Sequence, residues 1–154
     1  MIYKRIFECP TEEDTKKLAN RFACLAQKGD IFTLYGTLGV GKSCFSRYFI
    51  QSLCGVVDVP SPTFTLVQVY EAPDFDIYHY DMYRLKSPDD AFELGVEESF
   101  FEGVNLIEWP EKIAPILPNN VWKITISTSN NTRIFIVECN DAQKQKRLEE
   151  IVYD

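Results

Sequence analysis

Asp30-Ile-Phe-Thr-Leu-Tyr35-Gly36-Thr37-Leu38-Gly39-Val40-Gly41-Lys42-Ser43-Cys44-Phe-Ser-Arg-Tyr48 is the stretch from which the rest of the chain is read. An apolar run, Ile31 to Tyr35, enters a glycine-rich turn, and a segment with helical spacing leaves it. Gly36, Gly41, Lys42 and Ser43 satisfy the pattern G-x-x-x-x-G-K-[ST] in the strand-to-helix context that gives the pattern meaning. Glycines allow the backbone to curl so that successive N–H groups converge on phosphate oxygens. The helix that begins near Lys42 adds the positive end of its dipole. In that reading Gly36 to Ser43, with Thr37, Leu38, Gly39 and Val40 between, cradles a nucleoside triphosphate. Lys42 reaches the β/γ-phosphates and the Ser43 hydroxyl ligates Mg2+. A glycine-rich turn with an incidental lysine is the alternative.

Composition narrows the class. The 154 residues are 45% hydrophobic and 14% aromatic, enough for one folded domain, residues 1–154, with a substantial core. No apolar run approaches the roughly 20 residues that span a bilayer, and the N-terminus lacks a signal-peptide pattern. The expectation is a cytoplasmic protein with no membrane association. Five cysteines, Cys9, Cys24, Cys44, Cys54 and Cys139, fit neither a zinc site nor a disulfide framework. They read as reduced, mostly buried small apolar residues. Twenty-three acids against 16 bases give a net charge of −7. A protein gripping nucleic acid unaided normally carries a basic face, so such binding is not expected of this chain alone.

The remaining elements follow in order. Met1 to Glu8 reads as a strand, and Thr11-Glu-Glu-Asp14 as a capping-box start to a helix over residues 12–28. Lys42 to Leu53 reads as the helix behind the loop, with Phe45, Tyr48, Phe49 and Leu53 facing inward. Ser61-Pro62-Thr63 is a rigid, hydroxyl-bearing loop, followed by strands over residues 64–70 and 77–82. Ser87-Pro88-Asp89-Asp90 starts a helix that stops at Gly95, and a short helix covers residues 96–101. Val104 to Ile107 is a strand closed by Glu108. A loop follows Pro110, then a hairpin with strands at residues 121–127 and 133–138, then a charged helix over 141–152. The order implies α/β: a single P-loop NTPase-like domain whose mixed sheet has a parallel centre and antiparallel margins, with helices on both faces.

A phosphate loop alone binds; hydrolysis also needs a carboxylate for Mg2+ or for orienting water. Glu108 and Asp81 each close an apolar strand, and in open α/β sheets ligands lie beyond the carboxyl ends of the strands. Against this stand a capping or salt-bridged role for Glu108 and a surface position for Asp81. His79, the single histidine, shares a strand face with Asp81 and either orients a group in the site or is simply packed. Trp109 reads as core, as a nucleotide cover or as a partner contact. Arg84 and Arg133 contact phosphate or are merely solvated.

No Asn-Lys-x-Asp element for guanine is present, so adenine is the default base. The six arginines form no cluster of the kind a kinase lid uses to clamp a migrating phosphoryl group. A small nucleotide or metabolite kinase remains the alternative, as does an ATP-dependent interaction switch with little turnover. Gly36-Thr-Leu-Gly-Val-Gly-Lys-Ser43, Ser61-Pro-Thr-Phe-Thr-Leu-Val67, His79-Tyr-Asp-Met-Tyr-Arg-Leu85, Glu93-Leu-Gly-Val-Glu97 and Ile107-Glu-Trp-Pro-Glu111 succeed one another along the chain. In that order they resemble the motifs of the bacterial tRNA threonylcarbamoyladenosine biosynthesis ATPase family, TsaE, formerly YjeE. The match runs from about Thr11 to Glu111; the C-terminal hairpin and helix carry no strong motif.

The resemblance implies an ATP-hydrolysing subunit that acts on two paralogous partners, TsaD and TsaB, and meets tRNA only indirectly. The transfer reaction itself is not performed by this subunit in that family. By position the resemblance makes Lys42 and Ser43 the phosphate and Mg2+ residues, Glu108 a second Mg2+ ligand, and Asp81 a catalytic or site-organising acid. Glu12, Glu111 and Arg133 would line the nucleotide site. Ser43 stands where the family more often has Thr, and Thr37 where it commonly has an acid; Ser keeps the hydroxyl that Mg2+ needs.

Overall fold

Strand β2, Ile31–Tyr35, lies in the middle of a seven-stranded sheet, and its sequence explains why. Ile31, Phe32, Thr33 and Leu34 are all buried, the signature of a strand covered on both faces. Thr33 meets that demand by donating its hydroxyl to the Trp122 carbonyl at 2.7 Å. The computed structural model describes residues 2–37, 41–55 and 58–153.

The sheet order is β1-β7-β6-β2-β5-β4-β3, with β1 Tyr3–Cys9, β3 Val67–Glu71, β4 Asp76–Asp81, β5 Val104–Glu108, β6 Trp122–Ser129 and β7 Thr132–Cys139. β2 runs parallel to β5 and β6, and β4 parallel to β5. The pairs β1–β7, β6–β7 and β3–β4 are antiparallel. The parallel centre and antiparallel margins are those expected from the order of elements. Register brings Leu34 and Asp81 both opposite Glu108, so β2, β4 and β5 end at one level. That level is where the α/β rule places a ligand.

Helices α1, Glu12–Leu25, and α2, Lys42–Cys54, cover one face. Thr11 caps α1 through a full capping box with Asp14, as its sequence predicts. Phe22 of α1 and Phe45 and Phe49 of α2 are wholly buried against Phe32, Trp122 and Phe135 of the sheet. Phe32 stacks on Trp122 at 5.6 Å while Phe22 meets the same indole edge-on at 6.0 Å. Each such side chain contributes about 1.5–3 kcal/mol by leaving water, so α2 is held firmly beneath the loop that precedes it. The second face is covered by α3, Val96–Glu102, and by two 3-10 helices, Pro88–Leu94 and Pro110–Ile116. Helix α4, Ala142–Glu149, packs Leu148 into the first core.

Several boundaries differ from the sequence expectation, each for a local reason. Helix α1 ends at Leu25, not near residue 28, because the Gln27 N–H is claimed by the Asp30 carboxylate at 2.8 Å. The strand expected from Phe64 starts at Val67: Leu66 adopts φ 70° and its N–H closes a turn on the Pro62 carbonyl. Ser87 and Pro88 start a helix as expected, but a 3-10 one, and a second 3-10 helix replaces the loop after Trp109. All five cysteines are free; Cys9 and Cys139 are buried, while Cys24 is exposed and Cys44 and Cys54 are half-buried, so the expectation of mostly buried thiols fails for three of them.

Candidate functional site

Above the ends of β2, β4 and β5 opens a cavity of about 300 Å3, lined in part by Gly41, Lys42 and Ser43 at the start of α2 and by Asp81 and Glu108 at the strand ends. Gly41 caps α2 in the left-handed region, φ 116° and ψ 14°. A Cβ there would meet the Arg133 Nε at 3.0 Å, so both backbone and space call for glycine. From that turn the helix aims its first residues into the cavity. Ser43 donates its hydroxyl to Glu108 Oε1 at 3.1 Å, and Lys42 donates its ammonium to the Gly36 carbonyl at 2.8 Å.

The two carboxylates are buried and separately anchored. Glu108 is 4% exposed; its Oε2 accepts from His79 Nε2 at 2.6 Å, inside the protein. A carboxylate only accepts, so Nε2 carries the proton of that bond. Asp81 Oδ1 accepts from the Tyr83 N–H at 3.0 Å, and its Oδ2 from the Thr63 hydroxyl at 3.0 Å. Thr63 in turn shares a 2.7 Å hydrogen bond with the Ser61 hydroxyl. Both hydroxyls line the cavity, which gives the rigid Ser61-Pro62-Thr63 loop a role its sequence only hinted at.

Trp109 forms one wall. Its ring lies 3.8 Å from Lys42 Nζ and 4.8 Å from the Tyr83 ring. Its backbone sits at φ 59° and ψ 49°, left-handed and directly before Pro110, a combination that costs free energy and is characteristic of functional sites. Burial lowers the Lys42 pKa, while Glu108, Glu111 and Asp81 push it back up. The site therefore holds a cation that its protein surroundings only partly compensate.

Arg133, from β7, completes the rim beside Gly41 and donates to Cys44 Sγ at 3.6 Å. Cys44 faces Glu12 Oε1 at 3.2 Å, and Arg47 stands 3.7 Å from the same carboxylate. That thiol is pushed up by burial and by Glu12, and so is no reactive thiolate.

Of the residues singled out from the sequence, Gly41, Lys42, Ser43, Asp81, Glu108 and Arg133 line the cavity. Gly36 touches it through the Lys42 hydrogen bond, and Thr37 is exposed beside it. Leu38, Gly39 and Val40 lie outside the described residues. Glu12 is outside the lining, one residue away across Cys44, and Glu111 is exposed on the 3-10 helix, sensed by Lys42 only through its charge. Arg84 is exposed with its guanidinium over the Phe64 ring at 5.4 Å, so the solvated reading holds for it. Ser61, Thr63 and Cys44 were not among the predicted site residues; a Pro-rigidified hydroxyl pair was the one signal that pointed to the first two.

A glycine-only turn that opens a helix, whose second residue then meets a carboxylate from a neighbouring parallel strand, is the design of P-loop NTPase-like proteins, and this chain is of that class. The family model for threonylcarbamoyl adenosine biosynthesis protein TsaE matches residues 9–135, and the chain belongs to that family. A protein of Rickettsia bellii described as tRNA threonylcarbamoyladenosine biosynthesis protein TsaE is 44% identical over 75% of this chain and 81% of its own length. One of the same description from Bacillus subtilis is 38% identical over 77% of this chain and 75% of its own. The crystal structure of Bacillus subtilis YdiB superposes with a TM-score of 0.83 at 29% identity, covering 98% of this chain and 95% of that one.

Proposed function

We propose that this chain binds ATP with Mg2+ and hydrolyses it as the ATPase subunit of tRNA threonylcarbamoyladenosine biosynthesis, acting on the partner subunits TsaD and TsaB and not as the transferase. The observation that carries the reading is the 3.1 Å hydrogen bond between the phosphate-loop hydroxyl of Ser43 and the buried carboxylate of Glu108. A surface or capping acid has no need to be 4% exposed at the mouth of a loop of this kind.

The donor set suits Mg2+. Among the described residues no group of three or more His, Cys, Asp or Glu stands ready to hold an ion alone. Mg2+ at nucleotide sites takes one or two protein oxygens and fills its octahedron with water and phosphate. Ser43 and Glu108 offer one hydroxyl and one carboxylate, both hard donors, and would hold it there. When bound, the ion supplies charge neutralisation at the β- and γ-phosphates.

The chain's own groups do the rest. Lys42 exchanges the Gly36 carbonyl and the Trp109 face for phosphate oxygens, which compensate the ammonium better than a carbonyl dipole does. Arg133 stands beside Gly41 to meet charge on the outer side of the loop. Asp81, locked by Tyr83 and Thr63, retains free lone pairs with which to orient the attacking water. The net charge of −7 suits a subunit that serves a tRNA-modifying complex without gripping tRNA itself.

Calorimetry with ATP and Mg2+ tests the binding half of the reading. Saturable binding by the wild-type chain that Lys42→Ala loses is the expected result. A wild-type chain that binds no ATP, or a Lys42→Ala variant of unchanged affinity, overturns it.

A further inference from the structure

His79 is a neighbour that the nucleotide reading leaves without a task. It sits on β4 two residues before Asp81, on the strand face that also carries Asp81 and, across on β5, Glu108. Its ring is 1% exposed, and within the protein Nε2 is 2.6 Å from Glu108 Oε2. The other ring nitrogen, Nδ1, is buried with no hydrogen-bond partner among the described residues. A packed histidine normally satisfies both nitrogens, because leaving a buried polar atom unmet costs about 1–3 kcal/mol. Among the described residues this ring makes a single hydrogen bond, and it is with Glu108.

The geometry of Glu108 says what the contact does. Its two oxygens face different partners: Oε2 is held by His79, and Oε1 looks to the Ser43 hydroxyl in the cavity. Without His79 only the Ser43 hydroxyl holds the carboxylate, and its plane can turn away from the cavity. We infer that His79 is a positioning residue that fixes the orientation of the Glu108 carboxylate, so that one oxygen stays turned to the cavity beside Ser43, and thereby sets the divalent-cation requirement of the nucleotide site. This rests on the proposed ATP–Mg2+ reading of that site and names a residue that tunes it. Partners of this kind, one shell outside a metal ligand, typically change metal affinity by about 10–100-fold when lost. ATP held by Lys42 and the loop backbone in the absence of metal does not depend on which way Glu108 points.

The test compares His79→Gln, whose side-chain amide nitrogen can reach the place of Nε2, with His79→Asn, whose amide is too short. ATP binding is measured by calorimetry across a Mg2+ titration and again in chelator. The expected result for His79→Asn is a rise of about 10–100-fold in the Mg2+ concentration that half-enhances binding. His79→Gln should stay within about threefold of wild type, well inside the effect expected of a lost outer-shell partner. ATP affinity in chelator should be common to all three. Equal Mg2+ dependence in wild type and His79→Asn overturns the inference. So does a parallel loss in both variants, or a change in the metal-free affinity, each of which marks a merely structural histidine. A wild-type chain with no Mg2+-dependent ATP binding fails the underlying site reading instead, and the two failures are thereby distinct.

Discussion

At the scale of single residues the site works by contrast between two buried acids and one partly compensated lysine. Lys42→Ala removes a charged donor, worth about 1.5–3 kcal/mol, so ATP should bind at least about tenfold more weakly in calorimetry. Burial holds the Lys42 pKa below its ordinary 10.5. A lysine with a lowered folded-state value loses its ammonium earlier as pH rises, and a triphosphate needs the ammonium. ATP affinity should therefore begin to fall at a pH below 10.5 as the pH is raised. Affinity that stays flat up to 10.5 would contradict the lysine's role. Asp81→Ala should leave ATP binding within about twofold and slow hydrolysis by about 10²–10⁴, the usual worth of a positioned acid or base. An unchanged phosphate-release rate would make Asp81 structural. These residues were legible in the sequence because each belongs to a short motif whose chemistry fixes the spacing. The partners Thr63 and His79 were less so. A hydrogen bond to Asp81 from 18 residues away, or to Glu108 from 29, leaves no local pattern.

At the scale of elements, the strand–loop–helix unit was readable because propensity, periodicity and glycine placement agree across it. The parallel centre followed from the alternation of strands and helices. Elsewhere a tertiary contact overrides the local preference. Phe64-Thr-Leu66 has strand composition, yet the turn from the Pro62 carbonyl to Leu66 holds it as a loop over the Asp81 backbone, whose N–H donates to the Leu66 carbonyl at 3.0 Å. The early end of α1 has a similar origin in Asp30. That carboxylate, 3% exposed, accepts from Gln27 N–H, from Trp122 Nε1 at 3.3 Å and from both terminal nitrogens of Arg147 at 2.7 and 2.9 Å. It ties α1, β2, β6 and α4 together at the end of the sheet away from the cavity. Asp30→Ala strands the Arg147 guanidinium in the interior and should cost about 3–5 kcal/mol in urea unfolding, the range for breaking a buried pair from one side. A loss under about 1 kcal/mol would place the bond among exposed pairs of little worth.

At the scale of the whole molecule, the net charge of −7 argues against unaided binding of nucleic acid by this chain. With −7 overall, it should show no binding to tRNA in a filter or mobility assay at about 150 mM salt, where a nucleic-acid binder would retain it. Among the described residues no helix is long and apolar enough to cross a membrane. Under the proposed function the molecule converts nucleotide turnover into an effect on other subunits. Composition gave the sign of that argument, and the successive motifs gave its direction; which surface meets the partners is written in neither periodicity nor spacing. The central claim is that ATP turnover at the Lys42 site drives threonylcarbamoyladenosine formation by the partner subunits. The most direct measurement is the yield of modified tRNA per partner complex when this chain is combined with TsaD and TsaB homologues, ATP and unmodified tRNA. The account predicts many modifications per complex with the wild-type chain and no more than about one with Lys42→Ala, as expected when each turnover needs hydrolysis. Equal yields with the variant, or with the chain left out, would contradict it.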